Sequence, residues 1–569
     1  MTSTHCIECT KTLHGATLDS DIAAKGSVDH EADRRGGDSL VNHTDHEEGL
    51  IHGLLRPQAY PHPADHIVLH ETHGAWVVLA GPYAYKLKKP VDFGFFDFST
   101  PERRADDAEA EVRLNRRLAP TTYLAVVDVV DRDGAIHMGG PGEVLERAVK
   151  MRRLPPEGML SALLERDEAT PTLVRRIARR IATFHAGAAT GPGIDEHGTR
   201  ATIEANWRQN FGQVAPFVDE SIPAWELDTI RRYVDRTLAD ESGRFDLRVV
   251  QGRIRDGHGD LHARSICLDG RALVIFDCVE FSDRYRCADV AAEVAFLAMD
   301  LDHNARPDLG WAFVDEYVRR SGDNELLDLL DFYKCYRGFV RGKVLSFRLR
   351  ENDLDENERH NIAAEARAYF DLAAVYAGGM PRPTLLVMTG LPASGKSTLA
   401  QETAQRLGMI YCSTDIVRKQ RAGLAPAARA GARFGTGLYE KHHTRATYTA
   451  LRRFAARWLQ RGVSVVLDGT FADPRQRRLA HQLAQRAGAR FMVAQTVCDE
   501  ATTRARILRR EGDPARVSDA TWEIYQQLRL AYVPPDDLTA EELFVDATGG
   551  GGSDALIRRL LVTRPDGAE

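Results

Sequence analysis

A nine-residue loop that begins at Gly390 has the composition and spacing of a phosphate-binding loop. It reads Gly-Leu-Pro-Ala-Ser-Gly-Lys-Ser-Thr and follows the apolar run 385–388. The glycines let backbone N–H groups turn towards phosphates, the lysine reaches the β and γ phosphates, and the next serine can hold Mg²⁺. The pattern predicts binding of ATP and Mg²⁺, with Ser397 on the metal and Lys396 also acting on the transferred phosphate. The predicted nucleotide contacts are Gly390, Leu391, Pro392, Ala393, Ser394, Gly395, Lys396, Ser397 and Thr398.

Charged residues beyond this loop are of the types that phosphoryl transfer needs. Asp415, just after a second apolar run, could accept the proton of an acceptor hydroxyl, and Arg418, one helical turn later, could steady a phosphate. Asp468 closes the next apolar run, where an acidic group would orient Mg²⁺. Arg504 and Arg509 belong to an arginine cluster that could close over phosphates as a lid. The alternatives are a helix cap for Asp415 and solvated helix faces for the arginines.

A second constellation lies far upstream. Asp260, in the His-Gly-Asp-Leu-His loop at 258–262, is followed by Asp277 at the end of another apolar run. Phosphoryl transfer needs one carboxylate near the acceptor hydroxyl and another on Mg²⁺, and this pair could supply both. Lys86 in a strand-like run and Glu111 in a helical one could form the ion pair that places the phosphates of ATP.

The hydrophobic pattern indicates the elements that would position these residues. Short β-rich runs between residues 66 and 89 precede a helix over 102–118 and further strands over 124–154. Most of 159–375 has a helical pattern, interrupted by the glycine and histidine loop. The pattern therefore predicts a small β-rich lobe and a large helical lobe, as in a protein kinase.

Strands and helices alternate after residue 384, which predicts a parallel sheet covered on both faces. The expected strands are Leu385–Met388, Met409–Cys412, Val463–Leu467, Phe491–Val497 and Leu543–Val545. The predicted fold class is thus α/β and α+β multidomain, a protein-kinase-like bilobal domain followed by a P-loop NTPase parallel-sheet domain. We place a disordered segment at 1–55, the kinase-like domain at 56–378, a linker at 379–383 and the P-loop domain at 384–569.

Charge is divided unevenly along the 569 residues. Residues 381–569 carry 28 Lys and Arg against 19 Asp and Glu, whereas the remainder carries 47 against 63. A basic phosphate-loop domain suits a phosphorylated or nucleic-acid substrate, and an arginine-rich composition is the alternative. No apolar run approaches the roughly 20 residues that cross a bilayer, and the N-terminus lacks a signal pattern. With eight scattered cysteines, we expect a cytoplasmic protein with reduced thiols and no membrane partner.

Residues 384 to about 562 resemble the P-loop kinases grouped with polynucleotide kinase and zeta-type toxins. The shared pieces are the phosphate loop, the Asp415 and Arg418 pair, the Leu-Asp-Gly-Thr-Phe strand end at 467–471 and the arginine-rich lid. The resemblance implies Asp415 as general base, Lys396 and lid arginines on the phosphates, and ATP with Mg²⁺ as donor. Members of this group phosphorylate nucleic-acid ends, nucleotide sugars and small metabolites, so the acceptor does not carry over.

Residues 60 to about 375 resemble the aminoglycoside-phosphotransferase-like branch of the protein-kinase fold. The full chain resembles bacterial two-domain proteins named bifunctional aminoglycoside phosphotransferase and ATP-binding protein. The shared pieces include the runs 85–95 and 276–280 and the His-Gly-Asp-Leu-His loop. The resemblance implies Asp260 as catalytic base and Asp277 as Mg²⁺ ligand. The family's second metal ligand, an asparagine five places after the base, is Ser265 here, which predicts weak metal binding and slow turnover.

A row of basic residues spaced for one helix face lies further along the same domain. We expect a solvated helix face here, and binding of an anionic acceptor is the alternative. Its members are Lys334, Arg337, Arg341 and Arg348.

Together these observations predict an ATP-dependent phosphotransferase with two kinase-type domains. The C-terminal domain is expected to transfer the γ-phosphate to a hydroxyl of an unidentified small-molecule or phosphorylated acceptor. Two alternatives remain open. Ser265 favours an ATP-switched regulatory or binding protein with a degenerate N-terminal domain, and the basic C-terminal balance favours a nucleic-acid end-healing kinase.

Overall fold

A short helix lies upstream of the predicted domain start. Residues 49–54 form helix α1, and Leu50 and Leu54 are buried in the core of the first lobe. This apolar burial corrects the boundary predicted at residue 55, whereas the disorder predicted for 1–48 lies outside the described residues. The computed structural model describes residues 49–72, 74–92, 97–351, 354–380, 382–424, 440–511, 521–547 and 551–561.

The first lobe is a six-stranded antiparallel sheet with one long helix. The helix starts where a threonine hydroxyl at residue 100 accepts a hydrogen bond from the Arg103 N–H and a proline takes the first helical position. The strands pair in the order β1-β2-β3-β6-β4-β5. The elements are β1 (Ile67–Glu71), β2 (Ala75–Ala80), β3 (Tyr83–Lys88), α2 (Pro101–Asn115), β4 (Tyr123–Arg132), β5 (Ala135–Met138) and β6 (Glu143–Arg152).

The second lobe is mainly helical, as predicted, and α9 runs buried through its centre. Two short antiparallel pairs, β7 with β10 and β8 with β9, flank the loop at 258–262. The elements are α3 (Leu160–Glu165), α4 (Pro171–Gly187), α5 (Arg200–Val214), α6 (Ala224–Asp240), α7 (Ser242–Val250), β7 (Ile254–Asp256), β8 (Ile266–Asp269), β9 (Ala272–Ile275), α8 (Asp283–Arg286), β10 (Cys287–Asp289), α9 (Val290–His303), α10 (Pro307–Ser321), α11 (Leu326–Arg348) and α12 (Glu356–Ala374).

The C-terminal domain is a five-stranded parallel sheet in the order β12-β13-β11-β14-β15. Each of the five predicted strands is present, with ends shifted by one or two residues. The elements are β11 (Thr384–Thr389), α13 (Lys396–Arg406), β12 (Ile410–Ser413), α14 (Thr414–Arg421), α15 (Lys441–Leu459), β13 (Val465–Asp468), α16 (Pro474–Arg486), β14 (Arg490–Thr496), α17 (Glu500–Glu511), α18 (Trp522–Ala531), β15 (Leu543–Asp546) and α19 (Ser553–Leu561).

The central strand β11 explains why this sheet carries the site. All six of its residues are buried, and alternate side chains enter different cores. Leu386 and Met388 pack with α13 and α19, whereas Leu385 and Val387 pack with α15 and α16. A strand covered on both faces is typical of a parallel sheet, and ligands of such sheets bind beyond the carboxyl ends of the strands.

The connection between the domains is packed. The chain continues α12 through a turn at Val375–Gly379, and Gly378 at φ 81° redirects it towards β11. Tyr376 and Met380 are buried, at 4% and 2% exposure. The segment predicted as a linker therefore forms part of a joint between domains. Within the described ranges, no helix is long and apolar enough to cross a membrane.

Candidate active sites

The phosphate loop joins β11 to α13 and turns at two glycines. Gly390 and Gly395 have φ values of 138° and 97°, which residues with a side chain rarely adopt. Lys396 Nζ donates to the Leu391 carbonyl at 2.8 Å, and the Ser394 hydroxyl donates to the same carbonyl at 2.8 Å. The loop is thus closed by its own side chains at a helix N-terminus, where backbone amides and the helix dipole favour an anion.

The remaining predicted loop contacts divide into buried and exposed positions. Pro392 and Ala393 are buried, whereas Ser397 and Thr398 are exposed on the first turn of α13. A hydroxyl at this position has the chemistry of a Mg²⁺ ligand, so the loop residues fit a metal–nucleotide complex.

Asp415 and Arg418 form an ion pair at the carboxyl edge of the sheet. Arg418 Nη1 lies 2.8 Å from Asp415 Oδ1. The helix cap of α14 is Ser413, whose hydroxyl accepts from the Asp415 N–H at 3.1 Å, so Asp415 does not serve as the cap. Surrounding protein raises the pKa of Asp415, Arg418 acts to lower it, and the nearby charges of Asp468 and Lys396 act in opposite directions. The net rise brings this carboxyl closer to the range of a general base.

Asp468 ends β13 beside the end of β12. Its backbone pairs in register with Ser413, and its side chain is 3% exposed. The Tyr411 hydroxyl donates to Asp468 Oδ2 at 2.7 Å. Burial raises the pKa of Tyr411 well above its ordinary value, so the hydroxyl remains a donor that fixes the carboxylate orientation.

Helix α17 lies against the phosphate loop through an apolar contact. Ile507 packs with Ala393, and the Arg506 guanidinium lies 3.4 Å from the Ala393 carbonyl. Arg504 is exposed and lies over the Trp522 ring at 5.5 Å, and Arg509 is exposed. Among the described arginine side chains of α17, Arg506 therefore contacts the loop, whereas the predicted Arg504 and Arg509 point elsewhere.

In the kinase-like domain, the loop at 258–262 is held by Glu293 of α9. Glu293 accepts from two backbone N–H groups of the loop, one at 2.6 Å, and hydrogen-bonds His185. Burial opposes its charge, but these donors lower the pKa of Glu293 to about 2. Asp260 Oδ2 lies 3.1 Å from His262 Nε2 in the loop so fixed. Glu293 thus gives the loop one preferred geometry.

Asp260 has the charge state of a base at neutral pH. Its burial acts to raise the pKa, but His262, Arg341 and His258 act more strongly to lower it. The carboxylate is therefore ionised and can accept a proton from a hydroxyl placed beside it.

The predicted Lys86 and Glu111 pair is formed, and Asp277 joins it. Lys86 Nζ lies 2.9 Å from Glu111 Oε1 and 3.1 Å from Asp277 Oδ1. The Lys86 charge is the main cause that lowers the pKa of Asp277, whose backbone adopts φ 62°. The charge of Asp260 acts on Asp277 as well, so the four predicted residues share one site.

Ser265 is committed to its own turn. The residue is 2% exposed. Its hydroxyl oxygen accepts a hydrogen bond from the His262 N–H at 3.1 Å, and its hydroxyl proton is donated to the His262 carbonyl at 2.9 Å. This closed turn does not offer a ligand where the family has asparagine. Asp277 fits as a Mg²⁺ ligand, whereas Ser265 does not.

The basic row on α11 is mostly buried, so the expected solvated face is wrong for three of its members. Lys334 Nζ lies 2.7 Å from Asp302 Oδ2, and Arg337 donates to the Gly259 carbonyl at 3.2 Å. Of these two contacts, the one from Arg337 supports the loop at 258–262. The row consists of Lys334, Arg337 and Arg341, which are 5%, 4% and 5% exposed, and of half-buried Arg348.

Comparisons with known proteins agree with this two-site architecture. The phosphotransferase enzyme family matches residues 83–332, and a family described as an AAA domain matches residues 385–535. An uncharacterized protein of Mycobacterium tuberculosis and one of Mycobacterium bovis are each 33% identical over 460 residues. Each match covers 80% of this chain and 88% of the relative.

Solved structures are similar to each part. Choline kinase from Cryptosporidium parvum is 10% identical with a TM-score of 0.37 and covers 58% of this chain and 95% of its own. Kti12 from Chaetomium thermophilum is 21% identical with a TM-score of 0.25 and covers 31% of this chain and 95% of its own.

The two family matches confirm the predicted fold class, with a phosphotransferase-type domain followed by a P-loop kinase domain. The mycobacterial relatives match across both parts. The chain therefore belongs to the family of these two-domain proteins, which join an aminoglycoside-phosphotransferase-like kinase domain to a P-loop kinase domain.

Proposed function

We propose that the chain is an ATP-dependent phosphotransferase whose C-terminal domain phosphorylates a hydroxyl of a small-molecule or phosphorylated acceptor. The observation that carries the proposal is the Asp415 and Arg418 pair, 2.8 Å apart at the strand ends beside the phosphate loop. Transfer to a hydroxyl benefits from a carboxylate base at this position, whereas a nucleotide-driven motor has no acceptor hydroxyl to deprotonate.

In this proposal the loop amides and Lys396 bind the β and γ phosphates of ATP. Asp415 takes the proton of the acceptor hydroxyl while the hydroxyl oxygen of the acceptor bonds to the γ-phosphorus. The bond between that phosphorus and the bridging oxygen breaks, and ADP leaves with the bonding electrons. Arg418 steadies the transferred or acceptor phosphate. Mg²⁺, held by Ser397 and Asp468, would neutralise charge on the donor phosphates.

The acceptor class is tested by a transfer screen with ATP labelled on its γ-phosphate. Nucleosides, oligonucleotides with free 5′ hydroxyls, sugars and aminoglycosides are offered to the full chain. We expect label on one class, lost in Asp415→Asn and retained in Asp536→Asn, which alters an exposed carboxylate of the same domain. Label on oligonucleotides alone would select the end-healing alternative. Transfer unchanged in Asp415→Asn would contradict the proposal.

For the kinase-like domain, we propose nucleotide binding with slow transfer. The closed Ser265 turn supports this second function, because it leaves Asp277 without the family's second metal ligand. The domain then resembles an ATP-responsive binding module more than a fast enzyme. Binding of ATP equally well with and without Mg²⁺ would support that reading, and rapid Mg²⁺-dependent transfer would contradict it.

A further inference from the structure

A second lysine lies beside the predicted Lys86 and Glu111 pair, at the centre of a buried acidic cluster. Lys88 is 4% exposed, and its Nζ lies 2.7 Å from Asp107 Oδ2. The same ammonium lies 2.9 Å from Glu111 Oε2 and donates to Glu280. Three carboxylates therefore surround one ammonium that solvent scarcely reaches.

The two lysines divide Glu111 between them. Alternate residues of a strand point to the same face, so Lys86 and Lys88 of β3 both reach the α2 helix. Glu111, fully buried, faces Lys86 with Oε1 and Lys88 with Oε2, each at 2.9 Å. Lys86 is 17% exposed and also contacts Asp277, whereas Lys88 is 4% exposed. Lys86 thus occupies the open side of the cluster and Lys88 the closed side.

Lys88 also ties together three separate elements. It belongs to β3, Asp107 and Glu111 belong to α2, and Glu280 follows Asp277 by three positions in the segment after β9. One side chain therefore fixes the helix that carries Glu111 and the segment that carries the predicted metal ligand against the same strand.

The charge of the cluster explains why one lysine is not enough. Four carboxyls, those of Asp107, Glu111, Asp277 and Glu280, face two ammoniums. Burial, together with this excess of acid, raises the pKa of Glu280 to about 8. If Lys86 turns towards donor phosphates, its ion pair with Glu111 weakens. Without Lys88, the buried Glu111 carboxylate would then be left with an unpaired charge. Lys88 still pairs with its second oxygen.

We propose that Lys88 is a positioning residue that holds Glu111 and the 277–280 segment in place, so that Lys86 can engage the phosphates of a nucleotide. The inference rests on the proposed nucleotide binding by the kinase-like domain. The simplest competing role for Lys88 is that it only neutralises buried negative charge. In that case, any substitution that restores the charge balance of the cluster would compensate for its loss.

The test separates these two roles in the full chain. All variants carry Lys396→Ala, so that ATP binding at the phosphate loop is weakened, and Mg²⁺–ATP affinity is measured by titration calorimetry alongside thermal unfolding. Lys86→Ala serves as the reference for loss of a phosphate contact. Lys88→Met is compared with Lys88→Arg, which keeps the charge, and with Lys88→Met/Asp107→Asn, which removes one cation and its anionic partner together.

We expect Lys88→Met to weaken ATP binding about tenfold, close to the effect of Lys86→Ala, and to lower the unfolding temperature. Lys88→Arg should recover part of the affinity. Lys88→Met/Asp107→Asn should recover part of the unfolding temperature while its affinity stays about tenfold low, because Glu111 remains held by Lys86 alone.

Parental affinity in a folded Lys88→Met protein, or in the double variant, would overturn the positioning role. If the Lys396→Ala protein and its Lys86→Ala variant bind ATP equally well, Lys86 does not contact the nucleotide, and the proposal is refuted. A Lys396→Ala parent that binds no nucleotide would refute the proposed function of the domain itself, so the two failures are distinguishable.

Discussion

The helix that begins at the phosphate loop ends in a buried ion pair with the other domain, and Arg406→Met should break it. Arg406, the last residue of α13, is 8% exposed. Its Nε lies 2.7 Å from Oδ2 of Asp371, a fully buried residue of α12, and its Nη1 lies 2.7 Å from Asp554 of α19. The substitution removes the cation and leaves the Asp371 carboxylate in place.

The magnitude follows from what remains around Asp371. Removing one partner of a buried ion pair costs about 3–5 kcal/mol. Here Asp371 can share a proton with neighbouring Glu226, whose pKa burial and the Asp371 charge raise well above its ordinary value. That proton relieves part of the unpaired charge, so we expect the low end, about 3 kcal/mol. At roughly 2–4 °C per kcal/mol for a domain of this size, the unfolding temperature should fall by about 6–12 °C.

Scanning calorimetry of the full chain provides the assay. Arg406→Met/Asp371→Asn removes both charges and should recover more than half of the loss, since no buried charge stays unpaired. Arg486→Met, in the last turn of α16 but exposed, should change stability by no more than about 0.5 kcal/mol. An Arg406→Met protein that melts within about 1 °C of the parent would refute this reasoning, as would a double variant no better than the single one.

The carboxyls beside Arg406 should also make the stability of the protein depend on pH, with a definite sign. Burial raises the pKa of both Glu226 and Asp371 in the folded protein. Above about pH 4 these two carboxyls have released their protons in the unfolded chain, whereas the folded protein still holds protons on them. The two carboxyls therefore contribute less stability as pH rises. Glu226→Gln should therefore flatten the decline of unfolding temperature between about pH 4 and pH 8. An identical slope in parent and variant would assign the dependence to other groups.

Three further predictions concern the two sites. Lys396→Ala should lower ATP turnover at least tenfold, or about 1.4 kcal/mol in the barrier, and equal ATP consumption by variant and parent would contradict this assignment. Asp415→Asn should lower transfer roughly 10² to 10⁴-fold while ATP affinity, measured by titration, is largely preserved. Loss of ATP binding instead would make Asp415 a donor ligand. Ser265→Asn should raise Mg²⁺-dependent nucleotide affinity or turnover, and Asp260→Ala in that background should abolish transfer but not binding; unchanged affinity and activity in the folded Ser265→Asn protein would leave this domain a binding module.

Local patterns were sufficient for the fold class and for the sites that are contiguous in sequence. The phosphate loop needs only a strand, a turn and a helix in order, so nine residues identify it before any tertiary contact is known. The central strand β11 is a continuous apolar run because both of its faces are covered, which makes it easy to identify, whereas the edge strand β15 is only partly buried. The order of the strands in the sheet was not predicted, since pairing depends on long-range contacts.

Pairs of known chemical type could also be predicted across long distances. Lys86 and Glu111 stand 25 positions apart, and Asp277 a further 166, yet the structure brings both carboxylates within 3.1 Å of Lys86 Nζ. Kinase chemistry requires a lysine on a strand, a glutamate on a helix and a carboxylate for the metal, so the residue types could be assigned in advance.

Burial of charge could not be predicted in the same way. Lys88 alternates with Lys86 around Leu87, a pattern that indicates one polar face of a strand, and only the folded positions of Asp107 and Glu280 convert that face into an interior. The basic row of α11 was misjudged for the same reason. Helical spacing assigns Lys334 and Arg337 to one face, but cannot say that Asp302 and the Gly259 carbonyl lie against it.

The joint between the domains shows where this limit matters most. Glu226, Asp371, Arg406 and Asp554 lie on four helices spread over more than half of the chain, and each alone is an ordinary surface residue type. Glu226 and Asp371 hydrogen-bond each other only when one of them holds a proton, so without that proton the buried Glu226 Oε2 and Asp371 Oδ1 would be unsatisfied. Groups left in that state are costly unless charge and protons are shared among them. The end of the phosphate-loop helix is therefore held by a set of interactions that neither domain could satisfy alone, which makes α13 a structural element of both.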